Sequence, residues 1–283
     1  MKRFKRYFKK VEKLIMRPEM KVLPGQLAFF LILSIFPVFT LLGYIGSKFS
    51  LFSSSFLAVI KEVIPSNFLE VILPFVTDSQ LTGNTLVVMI LGFILASNGT
   101  HSLIVTSNEL YHLPYADYIK RRIKAFLMTI LFLMLFIFIF IVLAYGNVIV
   151  SWILDIKTLV AFHDQIYYFF LILKWPVAFF LIFIVLKYIY TVAPDARIPS
   201  KFMNAGALFA TIGIILITLG YSLYVNYFAN YTLFYGSVSG IIMLMIWVYL
   251  ISFGLSLGIA INSTVYANYK EILNKKEKND DNS

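Results

Sequence analysis

The chain has no cysteine in 283 residues. That excludes a disulfide frame, Cys-ligated zinc and thiolate-held iron–sulfur clusters, and it assigns no redox compartment. Charge is also scarce: Asp, Glu, Lys and Arg together make 13% of the chain, where a soluble domain carries roughly 25%. With 60% of residues hydrophobic, a water-soluble single-compartment enzyme and intrinsic disorder are both excluded. Walker A, GxSxG and HExxH motifs are missing. The three histidines, His101, His112 and His163, are scattered. In the topology derived below they cannot share a metal, so no metal site, no cofactor and no catalytic residue are expected.

What the chain has instead is long uncharged runs. Val22 to Ser47, Ser79 to Asn108 and Ala125 to Leu154 contain no charge, and Gln165 to Tyr190 is broken only by Lys174 and Lys187. From Phe202 to Tyr269, 68 residues pass without a Lys, Arg, Asp or Glu. As one helix that run would reach on the order of 100 Å, about three times the hydrocarbon core, so it must fold back. The polar, aromatic stretch from Asn226 to Gly236 is the natural turn. The reading is an all-α polytopic membrane protein with six transmembrane helices in one bundle, at about 26–47, 85–107, 124–148, 168–190, 203–226 and 237–262. Residues 1–21 form a basic cytoplasmic segment, 22–269 the transmembrane domain and 270–283 a polar tail expected to fray.

The net charge of +10 raises nucleic acid as a partner, but the cations sort by side of the membrane. Nine precede span 1, and Lys120, Arg121, Arg122 and Lys124 sit before span 3. Lys187, Arg197 and Lys201 flank the fourth connection, and Lys270, Lys275, Lys276 and Lys278 lie in the tail. The opposite side has Lys48, Lys61 and Lys157. The positive-inside rule then puts both termini in the cytoplasm, with the basic residues facing anionic inner-leaflet lipid and no nucleic acid required. Phe4, Tyr7, Phe8, Val11, Leu14 and Ile15 recur at helical spacing among these cations, which predicts an amphipathic helix on that leaflet; a disordered basic tail is the bland alternative.

No Asp or Glu lies within any span, which disfavours a carboxylate-driven pump. Span 2 is the most polar. Ser97, His101 and Asn108 fall within about 40° of one another, with Asn98 beside them. Such a face points into the bundle, either as a polar cavity or as interhelical hydrogen bonding. Thr218 and Ser222 on span 5, Asn226 at its end, and Ser34 and Pro37 on span 1 complete the candidate cavity. Pro37 and Pro176 occupy corresponding positions if the fold is two inverted three-helix halves, a pointer to a transporter site; two unrelated, tolerated prolines are the alternative. Lys174 is read as snorkelling to the outer interface beside Trp175. Gly236, Gly240, Gly254 and Gly258 fall on one strip of span 6 and predict close helix packing, within the subunit or as the seam of a homo-oligomer.

Several of these residues resemble the YihY/BrkB family of bacterial inner-membrane proteins. The match runs through Ala28 to Pro37, Ser97 to Gly99, Leu103, Asn108, Tyr111, Lys120 to Arg122, Trp175-Pro176 and Gly206-Ala207. It is densest over Tyr224-Val225, Ala229 to Tyr231, Tyr235 to Ser237 with Gly240, Trp247 to Tyr249 and Gly258 to Asn262. Ala260 stands where the family often carries a Glu, so no role of that carboxylate carries over. The resemblance implies a six-helix inner-membrane protein of unsettled activity, a family once labelled ribonuclease BN by misassignment. It is associated with envelope integrity, and export of a lipid-like precursor has been suggested for some members. Three readings follow: a transporter or flippase for an amphiphilic envelope molecule, a non-transporting scaffold that binds other membrane proteins, and an enzyme. Convergent titratable groups for the last are not found in the sequence.

Overall fold

The computed structural model describes residues 13–48, 83–131, 163–227 and 238–280. Among these residues the fold is all helix. α1 spans Pro18–Lys48, α2 Gly83–Tyr111 and α4 His163–Val192. A 3-10 turn at Ser200–Met203 leads into α5, Asn204–Tyr227, and α6 covers Ser239–Asp280. Between α2 and α4 the described part of α3 runs over 118–131. Their order follows that of the expected spans, with 132–148 of span 3 outside the described residues. Three are long and apolar enough to cross a bilayer by length and composition: Ile90–Tyr111, Ser200–Tyr221 and Ser239–Asn274. Phe179–Val192 is a shorter apolar segment.

The helices are inside-out relative to a soluble bundle. Ile119, Ile123, Leu127 and Ile130 are exposed on α3, and Leu208, Ile212, Leu216, Leu219 and Leu223 on α5. Phe180, Ile184 and Tyr188 repeat the pattern on α4, as do Ile241, Met245 and Tyr249 on α6. Steps of three and four residues keep each stripe on one helix face. Water would oppose so many exposed apolar stripes; acyl chains match them. Meanwhile Ser97, Thr106, Asn108, Thr211, Ser252, Ser256 and Asn262 are buried. Polar groups turn inward and apolar groups outward, as a lipid solvent requires.

α6 is the central element. It packs against α1, α2 and α5, and α1 packs along α2. Every residue from Gly254 to Ala260 is buried, so this stretch has no solvent or lipid face. At about 1.5 Å per residue the 42 residues of α6 extend well beyond one hydrocarbon thickness.

One expectation is corrected here. The tail was expected to fray after Tyr269, but α6 continues unbroken to Asp280; Glu, Lys, Ile and Leu between 270 and 277 are helix-compatible residues without Gly or Pro. Pro37 and Pro176 both lie within continuous helical runs, which favours two tolerated prolines over helices broken at matching positions. Tolerated prolines in membrane helices account for that. The first 12 residues, residues 228–237 with most of the expected turn and Gly236, and Lys61 and Lys157 lie outside the described residues, as do the side chains of Ser34, Pro37, Lys174, Trp175, Ser222 and Asn226.

Candidate functional site

The polar residues of α2 separate into two groups. The first forms a latch at the end of the bundle where α2 stops and α3 begins. α2 ends in a Schellman turn: Leu113 N–H donates to Asn108 O at 2.9 Å and His112 N–H to Glu109 O at 3.0 Å. His112 takes the left-handed position at φ 52°, where glycine is usual. The turn sends the chain through 113–117 and back into α3.

That reversal brings Asn108 and Lys124 to Asp195, in the connection after α4. Asn108 Nδ2 donates to Asp195 Oδ2 at 2.6 Å, and Asp195 N–H donates back to Asn108 Oδ1 at 2.9 Å. Lys124 Nζ donates to Asp195 Oδ1 at 3.1 Å and to the Ala193 and Pro194 carbonyls, each at 2.7 Å. Ala116 N–H lies 3.3 Å from Asp195 Oδ2. The Asp195 side chain is 7% exposed and Lys124 23%. A buried ion pair is not itself strong stabilisation, but losing one partner strands the other. Beside the latch, burial and the hydrogen bond to the Glu109 carboxylate push the Tyr115 phenol up to about 12.

Asn98 belongs to the same end, accepting from Arg122 Nη1 at 2.6 Å. Further along, Thr100 Oγ1 lies 2.8 Å from Thr129 Oγ1 and 2.9 Å from the Ala125 carbonyl. These contacts tie α2 to α3. Ser97 bonds within its own helix, its hydroxyl donating to Ile94 O at 2.7 Å. On α5, Thr218 lies 3.4 Å from Trp247 Nε1.

The second group consists of buried polar atoms without a protein partner. They are the Ser102, Thr106 and Ser107 hydroxyls on α2, the Ser252 and Ser256 hydroxyls on α6, Asn262 Nδ2, His101 Nε2 and Glu19 Oε2. The candidate cavity residues are therefore not one constellation. Asn98 and Asn108 are committed to Arg122 and Asp195, Ser97 to its own turn and Thr218 to Trp247. His101 keeps an unpartnered nitrogen and makes an edge contact with Tyr118, with ring centroids 6.1 Å apart.

The α5–α6 crossing is set by glycine. A Cβ on Gly206 would lie 2.0 Å from the Gly258 carbonyl oxygen, and one on Gly258 would lie 2.5 Å from the Tyr190 hydroxyl. Tyr190 donates that hydroxyl to Leu255 O at 2.9 Å, and Gly206 N–H donates to Asn262 Oδ1 at 2.7 Å. Asn262 thus caps the first turn of a neighbouring helix. Gly240 and Gly254 are buried; a Cβ on Gly254 would meet only Ile217 Cδ1, at 3.5 Å. Of the expected glycine strip, Gly258 makes the tight contact, and its partner Gly206 was not among the predicted packing glycines. A small residue at the start of span 5 was the available signal.

Asp195 and the role of Lys124 were also missed. Asp195 is the lone acid between spans 4 and 5, and Lys124 opens span 3. Those were the signals, but pairing two charges 71 residues apart needs the fold. Among the described residues no cluster of three His, Asp or Glu could hold a metal ion. An open apolar groove of about 490 Å³ lies between α5 and α6, lined by Leu216, Gly220, Tyr224 and Leu250 among others.

Against known proteins, the chain is 28% identical over 251 residues to a putative ribonuclease-like protein of Bacillus subtilis strain 168, covering 87% of this chain and 90% of that one. It is also 28% identical to a UPF0761 membrane protein of Vibrio parahaemolyticus, covering 86% and 77%. A third relative, a UPF0761 membrane protein of Pseudoalteromonas translucida, is 39% identical over 62 residues, 22% of this chain and 21% of that one. No solved structure matches. Residues 15–282 match the family described as Virulence factor BrkB, so an all-helical membrane protein of the BrkB family is what this chain is.

Proposed function

We propose that the protein is a transporter or flippase for a lipid-like or amphiphilic cell-envelope molecule, acting in the bacterial cytoplasmic membrane with six spans and both termini inside. The observation that carries this reading is the set of buried, unpartnered polar atoms on two packed helices. The hydroxyls of Ser102, Thr106 and Ser107 on α2 and of Ser252 and Ser256 on α6, with Asn262 Nδ2, lie within the bundle without a protein partner. Each such group is costly in hydrocarbon, and polar groups retained there point to a substrate or water path. A polar head moving along α2 and α6, with its chains against the exposed stripes, would use both features. The scaffold reading draws on the tight Gly206–Gly258 crossing and on Asn98 and Asn108 serving as interhelical ties. The ribonuclease-like name belongs to the Bacillus relative and is no evidence of an enzyme here.

The reading is tested in proteoliposomes carrying fluorescent phospholipid and polyprenyl-phosphate analogues, with a membrane-impermeant quencher. The transporter reading expects protein-dependent loss of protected signal that a Ser102→Ala/Ser256→Ala double variant slows. Protected fractions equal to empty vesicles for every analogue would favour the scaffold.

A further inference from the structure

Ser107 and Asn262 each carry a buried polar atom without a partner, and each stands one turn from an aromatic ring at the same end of the bundle. On α2, Ser107 precedes Tyr111 by four residues; on α6, Asn262 precedes Tyr266 by four. That spacing keeps polar group and ring on one helix face, about 40° apart, with the ring about 6 Å nearer the helix C-terminus. α5 runs the other way and repeats the arrangement. Its Gly206 N–H meets Asn262 Oδ1, and Phe202 and Met203 lie one turn nearer the end of the bundle.

The side chains at that level close a circuit across the three elements. Tyr111 and Tyr266 meet edge-on with ring centroids 6.3 Å apart, and Tyr266 meets Phe202 at 5.3 Å. Met203, next to Phe202 and fully buried, accepts the Tyr111 hydroxyl at Sδ, 3.3 Å away. Charge lies on the far side of this layer. Lys270, one turn beyond Tyr266, sits 5.0 Å from that ring's centroid, and Lys201 sits 5.0 Å from the centroid of Phe202. Both lysines are exposed. The layer thus separates exposed cations from buried polar atoms. An interfacial aromatic belt would turn its rings toward lipid headgroups, whereas these rings turn toward one another. Ring-edge contacts and a hydrogen bond to sulfur are each weak, so the layer can part while the Asp195 latch and the Gly206–Gly258 crossing hold.

From this arrangement we infer that Tyr111, Tyr266, Phe202 and Met203 form a gate that shuts the buried polar groups of α2 and α6 from the compartment bathing Lys201 and Lys270. The gate rests on the transport reading and names the end of the path that is closed here. In the proposed topology that end is the cytoplasmic one. Opening separates the Tyr111 and Tyr266 rings and uncovers Ser107 and Asn262 one turn behind them.

The test uses Ser107→Cys as a single reporter thiol in the full-length chain. Sealed membrane vesicles of both orientations are exposed to a charged, membrane-impermeant methanethiosulfonate. Asn268→Cys, at an exposed position of α6, marks the orientation that presents this end. In that orientation position 107 is expected to react far more slowly than position 268. Tyr111→Ala is expected to speed it about tenfold or more, the population shift that losing ring contacts allows. Tyr111→Phe keeps the ring and is expected to leave position 107 slow. Tyr115→Ala truncates an aromatic side chain at the same end but outside the layer, and is expected to leave the rate unchanged. Position 107 reacting as fast as 268 with Tyr111 in place would overturn the gate. So would an unchanged rate in Tyr111→Ala, or equal acceleration by Tyr111→Phe or Tyr115→Ala. If Tyr111→Ala does not fold, Tyr266→Ala decides by the same criteria. Ser102→Cys and Ser256→Cys separate the two failures. Labelling there from the opposite side keeps the polar path when the gate fails; protection from both sides removes path and gate together.

Discussion

The latch around Asp195 and the α5–α6 crossing both fix the segment after α4, by opposite chemistry. Asp195 gathers Asn108, Lys124 and the Ala116 N–H, so the ends of three helices meet on one carboxylate. The crossing at Gly206 and Gly258 uses no side-chain charge; it removes side chains until backbones touch, and Asn262 supplies one hydrogen bond. The latch sits where loops turn and charges stay partly exposed. The crossing lies where α6 is buried on every side. Charge serves where water is near. Close backbone approach serves where lipid offers no hydrophobic drive between helices.

The comparison breaks most sharply at Gly206. Gly206→Ala puts a methyl against backbone oxygen at 2.0 Å, so helices rather than a rotamer must move. A loss of about 3 kcal/mol or more is expected, seen as a lower Tm or no folded protein in detergent. Asp195→Ala comes next, stranding Lys124 and Asn108. Breaking a fully buried pair costs about 3–5 kcal/mol; with Lys124 partly exposed, about 2 kcal/mol is expected. An Asp195→Leu/Lys124→Met double variant should recover part of it, and a double variant worse than Asp195→Ala would remove the ion pair from the account. Asn262→Ala should cost about 1 kcal/mol as a lost helix cap, with the Gly206 amide becoming faster in hydrogen exchange. His112→Gly should raise stability by about 1 kcal/mol, because glycine occupies the left-handed position without a Cβ penalty. A drop in Tm would show that the His112 side chain matters more than its backbone.

Much of the bundle was legible because lipid imposes simple rules. Uncharged runs located helices in the order found, and the packing role of Gly258 followed from small-residue spacing. The length of α6 was not legible: composition marked 270–283 as a tail, while helix propensity carries the chain on to Asp280. The candidate site was legible only in type. Placing Ser97, His101 and Asn108 on one face was sound geometry, but it could not show that Asn108 reaches Asp195, 87 residues away, while Ser102 and Thr106 keep free hydroxyls. Helical phase assigns a face; it does not assign the neighbour that meets it.

The absence of cysteine makes the most direct test simple, since every introduced thiol is unique. Ser102→Cys, Ser256→Cys and the outward-facing Leu216→Cys would be challenged in native membranes with a small, charged methanethiosulfonate. A water-reachable polar path predicts labelling at positions 102 and 256 and none at 216. Protection at all three would make the α2–α6 polar face dry packing and contradict the transport account.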